Sequence, residues 1–70
     1  MQPLIFLQNG EEGTIRRVSG SEDVRHHLAN LGFVEGAEVT VISRINGSLI
    51  VNVKGSRVAI NEDMAKRIMV

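Results

Sequence analysis

The sequence has no cysteine, no tryptophan and no tyrosine, a single proline, and no excess of either charge. Without cysteine there can be no disulfide framework and no thiolate metal site. The aromatic side chains are limited to Phe6 and Phe33. That leaves no aromatic-lined groove for a proline-rich ligand and no stacking platform for single-stranded nucleic acid. Eight basic residues balance eight acidic ones, so the cationic surplus that phosphate neutralisation calls for is missing. No apolar run approaches the roughly 20 residues needed to span a bilayer. The opening Met1-Gln2-Pro3-Leu4-Ile5-Phe6-Leu7 lacks a basic n-region and is too short to be a signal peptide. The expectation is a cytoplasmic protein with no direct membrane insertion. Neither G-x-x-x-x-G-K-[ST] nor G-x-G-x-x-G occurs, which argues against nucleotide binding.

What is present reads as one small domain spanning residues 1–70. Asn9-Gly10 and Gly13 bracket a turn, and Gly13 to Val18 reads as a strand. Ile15 and Val18 are three apart, which breaks a period of two, so a bulge near Arg16-Arg17 is expected. One α-helix is expected over about 21–31. Ser21 caps it, Glu22 and Asp23 sit in its first turn, Val24, Leu28 and Leu31 form its apolar stripe, and Gly32 ends it. From Ala37 onward the pattern alternates. Val39 and Val41, then Leu49, Val51 and Val53, then Val58 and Ile60 fall on one side.

Parity suggests a three-residue loop at Asn46-Gly47-Ser48, pairing Val41 with Val53. It also suggests a two-residue turn at Gly55-Ser56, pairing Val53 with Val58 and Val51 with Ile60. A short helical turn near 62–67, capped by Asn61, leads to an apolar tail, Ile68-Met69-Val70, expected to pair with a sheet edge. The fold class is mostly β: a small SH3-like barrel of about five strands with one inserted helix. An OB-like barrel is the alternative.

Few residues suggest chemistry. His26 and His27 are the only histidines, and Glu22 with His26 forms an i, i+4 pair that could offer two metal ligands. A transition-metal site usually needs three or four, so the competing reading is a solvated helix face. His27, beside the apolar stripe, reads as a partly buried structural histidine. The acidic pairs Glu22-Asp23 and Glu62-Asp63 follow cap residues, and helix starts explain them. With no nucleophile constellation, the chain does not read as an enzyme, and no cofactor is expected. Phe33 and Val34, between Gly32 and Gly36, are candidate partner anchors; alternatively they fold back onto the barrel. Ile50 and Ala59 are apolar residues on the polar sides of their strands, and Ile50 joins the candidate partner surface.

Taken in order, Leu4, Leu7, Gly10-Glu11-Glu12-Gly13, Ile15, Val18, Gly20, Leu28, Leu31-Gly32-Phe33-Val34-Glu35-Gly36, Val39, Val41, Ile42, Val58, Ala59, Ala65, Ile68 and Val70 resemble the FeoA family. Glu35 stands where that family commonly has proline; the turn-forming glycines around it are kept. The resemblance implies an SH3-like barrel without catalytic activity that assists a FeoB-like membrane ferrous iron transporter, whose cytosolic part is a GTPase domain. The same domain occurs fused to metal-dependent repressors; this chain has no helix-turn-helix segment and resembles the free-standing form. A weak homo-oligomer is compatible with the sequence. The competing functions are a small-barrel nucleic-acid-binding module and a metal- or ligand-sensing module.

Overall fold

A computed structural model describes residues 1–70. After a 3-10 turn at Leu4–Phe6 the chain forms β1 (Glu12–Thr14), β2 (Arg17–Val18), α1 (Glu22–Asn30), β3 (Glu38–Ile45), β4 (Ser48–Val53), β5 (Ser56–Asn61), α2 (Glu62–Arg67) and β6 (Ile68–Met69). An antiparallel sheet of order β1-β3-β4-β5 packs with a two-stranded β2-β6 sheet, giving a small barrel. No helix is long and apolar enough to cross a membrane.

Residues 13–18 do not form one strand. The chain leaves the larger sheet after Thr14 and enters the smaller one at Arg17. The irregularity expected near Arg16-Arg17 is therefore a change of sheet and not a bulge. Its reason is the three-residue spacing of Ile15 and Val18, both of which turn inward. Ile15 N donates to Ala37 O at 2.8 Å and Arg16 N to Met69 O at 2.8 Å, so adjacent residues bond to opposite sheets. The apolar tail closes the barrel: β6 pairs with β2, and Gln2 and Val70 exchange backbone hydrogen bonds of 2.9 and 2.8 Å.

Both hairpin turns differ from the parity expectation. The first has two residues, Asn46-Gly47, and joins Ile45 to Ser48. The three-residue loop over Asn46-Gly47-Ser48 does not form. Val41 pairs with Val51 and Val39 with Val53, because a β-bulge between Val41 and Ser43 inserts Ile42 and restores parity. Asn-Gly adopts positive φ at both positions, 47° and 79°, the twist a two-residue hairpin favours. The second turn is Lys54-Gly55, not Gly55-Ser56. It places glycine at the second position (φ 76°), where Ser56 would otherwise be strained. The change moves the register by two, so apolar still meets apolar: Val51 faces Val58 and Leu49 faces Ile60.

The helices start where their caps lie. The Ser21 hydroxyl accepts from Val24 N at 3.3 Å and the Asn61 carbonyl oxygen from Met64 N at 2.9 Å. The core is a single cluster that draws Leu4, Ile15, Leu28, Phe33, Val39 and Ile68, among others, from every part of the chain. Arg44 closes one end of it. Its guanidinium donates to the carbonyls of Ile5 (2.7 Å) and Leu7 and to Asn9 Oδ1 (3.2 Å), tying β3 to the N-terminal segment.

Candidate docking surface

Alternation along β4 divides its residues between two environments. Leu49, Val51 and Val53 enter the core, and Ser48, Ile50 and Asn52 look outward. Cross-strand pairing extends each outward residue into a row. Asn52 sits between Thr40 and Arg57, and Thr40 continues to Glu12. Ile50 sits between Ser43 and Ala59, and Ser48 between Ile45 and Asn61. The outer face is therefore polar at one end and apolar at the other.

At the polar end, Glu12, Glu38, Thr40, Asn52 and Lys54 line a shallow cleft of about 430 Å³. Thr40 Oγ1 donates there to Glu12 Oε2 at 3.4 Å. At the apolar end, Ile50 is half-buried beside exposed Ala59. Ile45 is 56 % exposed and Ile42, the extra residue of the bulge, 37 %. Hydrophobic residues at these positions gain nothing from the core and are suited to a partner.

The sequence candidates separate. Phe33 is not a surface anchor: it is 1 % exposed and the largest fully buried side chain. Its burial follows from how α1 ends. Phe33 N donates to Leu28 O and Gly32 N to Ala29 O, both at 2.9 Å, with Gly32 at φ 107°. This is a Schellman arrangement, in which the residue after the glycine characteristically packs back against the last helical turn. The signal is legible in Leu28…Gly32-Phe33 and explains why an apolar residue between two glycines is no evidence of exposure. Val34, next in the turn, is half-buried. Ile50 lies in the apolar row described above, whereas Ile42 and Ile45 join it only because of the bulge and the short turn, neither of which parity had suggested.

Glu22 and His26 lie on the exposed face of α1, and no group of three or more His, Cys, Asp or Glu side chains forms around them or elsewhere. His27 is also exposed, not partly buried, because α1 rests on the core through Leu28 with Val24 and Leu31 alone.

Residues 2–70 match the family model described as the FeoA domain. The chain is 34% identical to Fe(2+) transport protein A of Methanocaldococcus jannaschii over all of its own length and 85% of the relative's. Among solved structures, it superposes on an iron uptake regulatory protein, FeoA, with a TM-score of 0.91 at 32% identity, covering 99% of this chain and 92% of the other. A Stenotrophomonas maltophilia FeoA complexed with zinc, described as an SH3 domain protein, gives 0.86 at 26% identity, covering 100% and 89%. The barrel is thus SH3-like.

Proposed function

Because the chain belongs to the FeoA domain family of ferrous iron transport accessory proteins, we propose that it acts without catalysis, by docking in the cytoplasm on a FeoB-like membrane ferrous iron transporter. The docking surface is the outer face of the four-stranded sheet at its apolar end. One observation supports this reading: exposed Ile45 and the exposed bulge residue Ile42 on β3 lie beside half-buried Ile50 on β4, all three outside the core. A hot-spot anchor, packed and desolvated at the centre of an interface, contributes about 2 kcal/mol or more. Val34 is half-buried near the end of α1 and is the remaining candidate at the sequence-derived site.

The test is calorimetric titration of the transporter's isolated cytosolic domain with the parent protein and with Ile45→Asp. Ile45 is exposed, so the variant should melt like the parent, and its affinity should fall about 30-fold, the equivalent of 2 kcal/mol. Unchanged affinity would remove this face from the interaction. Val34→Asp, run in parallel, reports whether the α1 end contributes.

A further inference from the structure

We propose that the solvent face of the β2–β6 sheet is a contact surface for an anionic lipid bilayer. The sequence carries two basic pairs, Arg16-Arg17 and Lys66-Arg67, far apart along the chain. Strand pairing brings them together. Arg17 lies opposite Met69, Arg16 N donates to Met69 O at 2.8 Å, and Ser19 N donates to Arg67 O at 2.9 Å. Val18 and Ile68 turn into the core, so Arg17 and Met69 stand on the opposite, solvent side. Arg67, the last residue of α2, is exposed immediately before β6, with its side chain running over Gly20. Lys66, in the last turn of α2, and Arg16 are exposed at the margins. Arg17 of β2, Arg16 just before it, and Lys66 and Arg67 in the last turn of α2 thus put four of the eight basic residues on or next to the smaller sheet.

Glu62 and Asp63 begin α2 at its other end. Glu22 and Asp23 begin α1 two residues past Gly20, over which the Arg67 side chain lies, and they mark one edge of the basic face.

The chemistry between the cations selects the occupant. Met69 is half-buried between Arg17 and Arg67, Pro3 bridges to it from the other side, and Met1 at the margin is 76 % exposed. Cationic side chains around flexible apolar ones, on a face without concavity, suit a layer of anionic headgroups over acyl chains. An acidic peptide would want a groove, but the cleft of this molecule lies on the other sheet and is lined by Glu12 and Glu38. Single-stranded nucleic acid would want a platform of several stacking aromatics, and Phe6 is the one exposed aromatic ring of the chain. The choice of lipid over a soluble acidic protein rests on the proposed role beside a membrane transporter. In that role the face would hold the domain against the bilayer while the four-stranded sheet meets the partner.

The experiment uses the full chain and no transporter, so its failure is distinct from failure of the docking reading. Sedimentation with phosphatidylcholine vesicles is compared with sedimentation on the same vesicles containing phosphatidylglycerol, at low and high salt. Binding should require phosphatidylglycerol and disappear at high salt. Each cation near such a surface strengthens partitioning about five-fold, so Arg17→Glu/Arg67→Glu should lose at least about 25-fold with an unchanged melting temperature. If that variant misfolds, Arg17→Gln/Arg67→Gln should lose about the same. Absence of phosphatidylglycerol-dependent binding, or equal binding by the folded double variant, would overturn the proposal, as would preferential capture of a polyglutamate peptide over the vesicles.

Discussion

Phe33 and Val34 are neighbours in one turn with different physical roles. Phe33 fills the core and Val34 is half-buried. Removing a core phenylalanine side chain leaves a cavity as well as losing transfer free energy, at a cost of about 3–5 kcal/mol. Phe33→Ala should therefore lose most of the stability of a domain this small, measured by chemical denaturation. Val34→Ala should change it by less than about 1 kcal/mol in the same assay. Equal, small effects would place Phe33 outside the cooperative core. The residue scale also carries the difference between what was legible and what was not. The caps Ser21 and Asn61 could be read locally because each bonds to a residue three positions on. Gly32 marks the stop of α1 in the sequence, and the open choice between an exposed and a folded-back Phe33 falls to the latter through the packing that this stop places on the next residue.

At the scale of elements, the short β6 has a large influence. Ile68 is fully buried, β6 covers the edge of β2, and Val70 ties down Gln2 by two hydrogen bonds. Deleting Ile68-Met69-Val70 removes an apolar side chain worth about 1.5–3 kcal/mol on burial, with partial losses from two more. It also uncovers an edge. The truncated protein should melt far below the parent or not fold cooperatively; an unchanged melting temperature would show that the barrel closes without β6. The hairpins illustrate the competition between turn chemistry and parity. Asn46-Gly47 is so well suited to a two-residue turn that a bulge at Ile42 accommodates the parity mismatch instead. That local adjustment carries Ile42 and Ile45 to the surface.

For the molecule as a whole, folding could have supplied further metal ligands to the Glu22 and His26 pair, but no third such side chain converges on it. A two-ligand site on an exposed helix face binds weakly. Anaerobic calorimetry with Fe²⁺ or Zn²⁺ should accordingly give no stoichiometric sub-micromolar binding to the isolated chain. Such binding, lost in His26→Ala, would overturn that expectation and favour a sensing role. Neutral net charge is distributed unevenly at this scale: the cleft on the larger sheet carries Glu12 and Glu38 with Lys54, and Arg17 of β2 and Arg67 at the end of α2 lie near Met69.

Whatever depends on interactions within a few residues is legible in the order of the amino acids. This includes where α1 and α2 begin, where α1 stops, which residues of β3, β4 and β5 alternate inward, and the need for an interruption between Ile15 and Val18. Periodicity and capping act over one or two turns or pleats, so they can be read in order. The register of the hairpins, the emergence of Ile42 and Ile45 beside Ile50, and the approach of Arg17 to the end of α2 arise only when the strands pair. Each of these depends on which strand lies beside which, and strand pairing joins residues whose separation along the chain carries no local signal.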